Sequence, residues 1–209
     1  MGRFFLGVLR LFGGRPFRPV VTLEPVIEAE AEGVPAEVPT EPTEPTEPIE
    51  LDWLGQLDAA LDAAGVVDFT ARELTYLRKA KPPRHDEPPR ELWPALVAVA
   101  VLAQEVRYLY GRPLVVSSCW RPDWYNKAVG GAAKSQHLHA AAIDLNVASS
   151  DRSAKAIEEL EHSAAFIWQK FVKTAKGFGV YKGGRVHLDV GGTRRTWGEA
   201  SRVLEEIER

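Results

Sequence analysis

The chain has 209 residues, 45% of them hydrophobic and six of them tryptophan, which suffices for one well-filled domain plus extensions. Its single cysteine, Cys119, excludes an intrachain disulfide framework and a thiolate zinc cage. The formal charge of -3 is unevenly spread. Residues 1–21 carry four arginines and no acid, residues 22–50 carry nine glutamates and no base, and the rest is nearly balanced. A nearly neutral domain has no electrostatic footprint for nucleic acid, so no nucleic-acid partner is expected.

The head, "MGRFFLGVLRLFGGRPFRP", would align Phe4, Phe5, Val8, Leu11 and Phe12 on one face of a short helix, with Arg3 and Arg10 at its borders. It is too short to span a bilayer. It makes a poor signal peptide, because Arg10 interrupts the apolar run and no small-residue cleavage site follows. Two readings stand for residues 1–21: an interfacial anchor or docking peptide that contacts a membrane surface or a protein, and a terminus without a role. Residues 22–50, with a triple "TEP", have the composition of an extended, self-repelling linker. In a polyproline-like state it would reach about 90 Å.

From residue 51 to 209 the pattern is globular. "LDWLGQLDAALDAAG" has helical apolar spacing and stops at Gly65. "FTARELTYLRKA" opens on Thr70 and Glu73 in a capping-box arrangement and ends before Pro82 and Pro83. "RELWPALVAVAVLAQEVRYLYG" predicts a long buried helix closed by Gly111, and "PLVVSSCW" a strand. "DRSAKAIEELEHSAAFIWQKFVKTAKG" predicts a second long helix, capped by Ser149 or Ser150. "GFGVY" and "RVHLDV" read as two strands joined by a Gly183-Gly184 turn, before a short final helix in "EASRVLEEIER". Helices first, then three or four strands with one helix among them, predict an α+β domain whose small, mainly antiparallel sheet is covered by helices.

Period-two reading sorts the strands into faces. In "AAAIDLNV", Ala141, Ile143, Leu145 and Val147 share a core face, while Ala140, Ala142, Asp144 and Asn146 share the other. In "RVHLDV", Val186, Leu188 and Val190 point inward and Arg185, His187 and Asp189 point together to the opposite side. His137 lies an odd number of residues before Asp144, so the chain must turn between them for both to meet. His137, Asp144 and His187 then offer two imidazoles and a carboxylate, a set that suits zinc and leaves a fourth position for water. The plainer reading is that they only hydrogen-bond one another; a partly buried Asp144 favours a cation. His85 and His162 read as ordinary residues, and His139 as a neighbour of the site and not a ligand.

These residues also resemble a known family. "SSCWRPDWYNKAVGGAAKSQHLHAAAIDL" is similar to the Ser-Gly-Tyr-Arg … Asn-x-x-Val-Gly-Gly-Ala … Ser-x-His-x-x-Gly-x-Ala-x-Asp signature of zinc D-Ala-D-Ala metallopeptidases. "GFGVYKGGRVHLDVGG", followed by Arg194 and Trp197, resembles their closing Gly-x-Tyr … Val-His-x-Asp-x-Gly segment, and "DFTARELT" resembles the opening of phage and cell-wall members. The resemblance covers about residues 68–198. It implies the fold shared with lysostaphin-type enzymes and the hedgehog signalling domain, with His137, Asp144 and His187 binding Zn2+ and with Arg121 and Ser135 contacting substrate. It further implies a peptidase acting on peptidoglycan stem peptides beside D-alanine, at the bacterial cell wall, in the periplasm or delivered by a phage. A monomer is expected. Ala140 replaces the family's glycine after the first ligand, and Gly184 stands where several relatives have an acidic general base. Asp189, on the ligand's face, is the expected base, with His139 as the substitute and an orienting role for Asp189 as the alternative. Two rivals are a non-catalytic zinc-bearing binding module and an assembly protein in which residues 1–21 do the work.

Overall fold

The computed structural model describes residues 53–209, so the expectations for residues 1–21 and 22–50 lie outside the described residues. The expected α+β class holds. The order is α1 (Trp53–Ala63), α2 (Ala71–Leu74), a ribbon of β1 (Tyr76–Leu77) and β2 (Arg84–His85), α3 (Trp93–Tyr110), β3 (Leu114–Ser118), α4 (Asp123–Ala128), β4 (Ala142–Val147), α5 (Ala154–Lys170), β5 (Gly177–Tyr181), β6 (Arg185–Asp189), β7 (Arg195–Gly198) and α6 (Ala200–Ile207).

The main sheet runs β3-β4-β6-β5-β7. Every pair is antiparallel except β5 with β7. On one face Ile143, Leu145, Phe178, Val180, Val186 and Leu188 are all 0% exposed. They meet Leu96, Val99 and Ala103 of α3 and Leu160 and Ala164 of α5, which join the same core. Burying each large apolar side chain contributes about 1.5–3 kcal/mol, so this layer holds the strands in register and leaves their other face free to carry chemistry.

Local signals hold where they are strong. Thr70 and Glu73 form the predicted capping box, with Glu73 N donating to Thr70 Oγ1 (3.3 Å) and Thr70 N donating to Glu73 Oε2 (3.0 Å). Gly111 closes α3 at φ 75°, a conformation glycine adopts freely. Three expectations change. The helix after Thr70 is only Ala71–Leu74, because Thr75 Oγ1 bonds back to the Ala71 carbonyl (2.8 Å) and Tyr76–Leu77 pairs with Arg84–His85. The cap of α5 is Ser153, not Ser149 or Ser150: its Oγ accepts from Ala156 N (3.1 Å), while residues 149–151 form a separate 3-10 turn. The sheet also has a strand beyond the expected set, β7.

The core cluster draws on residues from Leu57 to Val203. A chain beginning at Leu51 should therefore unfold cooperatively at the temperature of the full-length protein in a calorimetric scan. A lowered or broadened transition would show that residues before Leu51 belong to the folding unit.

Candidate metal centre

The register of β4 on β6 sets Asp144 opposite His187 and Ala142 opposite Asp189. Alternation then brings Asp144, His187 and Asp189 to one face while their neighbours fill the core. Ala142 has only a methyl group, which leaves room across from the Asp189 carboxylate.

His137 arrives from a loop. A 3-10 turn over Gln136–His139 is capped by Ser135, whose Oγ accepts from His137 N (3.4 Å). Ala140 then adopts φ 51°, in the left-handed region, and the chain enters β4. This is the turn that the odd spacing demanded. The demand at this position is conformational: glycine would meet it freely, and Ala140 meets it with strain.

The three groups converge. His187 Nδ1 lies 2.8 Å and His137 Nε2 3.4 Å from Asp144 Oδ1. All three residues are buried, and their ligand atoms lie within 4.8 Å of one another. Each ring's second nitrogen is engaged elsewhere. His137 Nδ1 donates to the Cys119 carbonyl, and His187 Nε2 donates to Asp189 Oδ2 (3.1 Å). These bonds fix the ring orientations and leave His137 Nε2 and His187 Nδ1 beside Asp144 as the ligand atoms, which is how metal-binding histidines are oriented. Two such nitrogens and a buried carboxylate oxygen, open to a cleft on one side, fit a zinc ion.

The electrostatics are severe. Burial alone would raise the Asp144 pKa, but hydrogen bonds from His137 and His187 outweigh it and hold the carboxyl far below the usual carboxylate range. Burial pushes His137 below the ordinary imidazole value despite Asp144. Burial opposes charging His187 too, yet Asp144 and Asp189 together raise it. Burial also pushes the Cys119 thiol up to about 12, so it is no nucleophile.

Arg121, Ser135, His137, Asp144, His187 and Asp189 all line one cleft of about 530 Å³. Arg121 Nη2 donates to Asp144 Oδ2 (3.0 Å) and its Nε to Ser118 Oγ (2.6 Å). Asp189 is 0% exposed. Its Oδ1 accepts from Gly177 N (3.0 Å) and Gly191 N (3.2 Å), and its Oδ2 from His187 and from Arg195 Nη2 (2.7 Å). His139, the substitute base, is exposed and is not among the residues lining the cleft. Tyr181, Arg185, Arg195 and Trp197 are among the lining residues that were not assigned site roles from sequence. Part of the signal was present, since alternation in "GFGVY" puts Gly177, Gly179 and Tyr181 on the site's face. A Cβ on Gly177 would lie 2.0 Å from Asp189 Oδ2, and one on Gly179 would lie 2.4 Å from the Trp197 ring. Both glycines make room for the site's wall.

The sequence model of the peptidase M15 family matches residues 67–189. The chain belongs to the peptidase M15 family. It is accordingly a metallopeptidase, and the buried His137, Asp144 and His187 form a triad typical of M15 zinc peptidases. A search of curated proteins returned no match.

Two outcomes are expected. Elemental analysis of the purified M15 protein should find about one zinc per chain, and His187→Ala should lose most of it; full occupancy in that variant would dismiss the triad. Ala140→Gly should relieve the left-handed strain and stabilise the fold by about 1 kcal/mol, read as a higher midpoint in denaturant with zinc content unchanged.

Proposed function

We propose that this protein is a zinc-dependent peptidase that hydrolyses bacterial peptidoglycan stem peptides at bonds involving D-alanine. The observation that carries the reading is the buried His137, Asp144 and His187 triad at a cleft lined by five basic side chains, Lys79, Arg121, Lys134, Arg185 and Arg195, against two acids already engaged. Such a lining attracts anionic ligands, and stem peptides end in carboxylates. Zinc would supply Lewis-acid polarisation of the scissile carbonyl and activation of the attacking water.

The protein's own groups have separable roles. Arg121 neutralises Asp144, and its bonds to Asp144 and Ser118 use two of the five guanidinium N–H donors. The others are free to hold a substrate carbonyl beside the triad. Ser135, at the cap of the turn that presents His137, is the second substrate contact. Asp189 orients His187: with four donors on its carboxylate and no exposed surface, it favours the positioning role over the general base. We also propose that the enzyme works as a monomer at the cell wall, in the periplasm or delivered by a phage, with residues 1–21 contacting a membrane surface or a protein.

One observation favours the second reading, a non-catalytic zinc-containing binding or assembly module: Asp144 and Asp189 are the only acids among the described residues lining the cleft, and both are engaged. Mass analysis of purified peptidoglycan fragments, before and after incubation with the zinc-loaded protein, separates the readings. Loss of D-alanine or of cross-links supports the peptidase, whereas binding without any change in mass supports the module. Asp189→Asn should weaken zinc affinity by about 10–100-fold, with activity restored by excess zinc; a loss of kcat that excess zinc does not restore would return the base role to Asp189.

A further inference from the structure

The wall of the cleft beside the metal ligands is built from β5, β6 and β7. Pairing sets Gly179 opposite both His187 and Trp197, and Tyr181 opposite Arg185. The Trp197 ring stands 4.9 Å from that of His187, and its Nε1 donates to the Tyr181 hydroxyl (3.1 Å). The guanidinium of Arg185 lies 4.1 Å from the centroid of the Tyr181 ring. Arg185 is therefore held in place by a stacked aromatic that is itself held by Trp197.

Its charge is nevertheless unanswered. Arg121 is paired with Asp144 and Arg195 with Asp189, whereas Arg185 makes no ion pair with a described carboxylate. Its Nε is buried and has no hydrogen-bond partner. A buried donor without a partner is costly, and a ligand that supplies an acceptor there recovers the cost. Arginine stays charged and offers only donors, so Arg185 is no acid or base; what it can do is grip an anion, a carboxylate by two parallel bonds. It precedes His187 by two residues on β6, so it leaves the sheet on the ligand's face with Cα atoms about 6.5–7 Å apart. That spacing is about two residues of extended peptide.

We propose that Arg185 is the receptor for a substrate carboxylate and restricts the enzyme to peptides with a free carboxylate within two residues of the bond cut. This deepens the peptidase reading above and rests on it: Arg121 serves the carbonyl beside the triad and Arg185 the carboxylate further along. A carboxylate held in both ground and transition state contributes to KM far more than to kcat.

The test uses the zinc-loaded full chain labelled with 15N-arginine. The Arg185 Nε–H resonance, assigned by its absence in Arg185→Gln, should shift on titration with N-acetyl-D-alanine and stay in place with N-acetyl-D-alaninamide. In steady state, Arg185→Gln should raise KM for a stem peptide with a free C-terminal carboxylate by about 10–100-fold and leave kcat within about threefold. Arg185→Lys should recover part of the loss, and kcat/KM for the C-terminally amidated peptide, already low in the wild-type chain, should not change. Equal response to acid and amide, or a fall in kcat at unchanged KM, would overturn the assignment. Unchanged zinc content and thermal midpoint in Arg185→Gln exclude misfolding as the cause. If the wild-type chain cleaves no stem peptide, the peptidase reading falls, while the resonance titration still decides whether Arg185 binds a carboxylate.

Discussion

A carboxylate that is 3% exposed and still ionised is the constraint around which this domain is arranged. Burying Asp144 without compensation would cost several kcal/mol, and three separate parts of the chain answer that cost. The 3-10 turn brings His137, the register of β6 brings His187, and Ser118 and Arg121 follow the irregularity in β3 between Val116 and Ser118. Because Asp144 attracts all of them, it fixes where the loop before β4 can lie and which face of the sheet can be apolar.

Charge then alternates outward from that point. Asp144 meets His187, His187 meets Asp189, and Asp189 meets Arg195 on β7. Each bond sets the orientation of the next group, so a ring on β6 is aimed by residues on β4, on β6 itself and on β7. Gly177 and Gly179 permit this by omission, since any side chain at either position would occupy the space of Asp189 or Trp197. In this sheet the absence of a Cβ is as specific as the presence of a ligand.

How much of this was legible in the sequence depends on distance along the chain. Alternation in "AAAIDLNV" and "RVHLDV" sorted polar from apolar faces because the period of a strand is local. The odd spacing from His137 to Asp144 required a turn for the same reason, and the turn is there. The α+β class followed from the order of segments. What sequence reading missed depends on contacts between distant segments. β7 is four residues, "RTWG", with no alternation to betray it, and it exists because β5 offers it an edge. The environment of Asp189 is made by Gly177, Gly191, His187 and Arg195, and no local pattern announces that these four meet. The helical promise of "FTARELTYLRKA" failed where Tyr76 and Leu77 found partners in Arg84 and His85.

The parallel strand β7 has a consequence for biosynthesis. A ribosome delivers His137 and Asp144 well before His187, and the residues that steady His187, Arg195 and Trp197, come later still. Synthesis supplies the N-terminal segments first, so helices α1 to α5 and the β3-β4 pair are available while the metal centre remains half built. The bond from Arg195 to Asp189 and the aromatic wall both wait for the last strand. A messenger cut short before Thr196 codon would thus yield a protein with all three ligands but no finished cleft. The cleft is thus complete only once translation has passed β7.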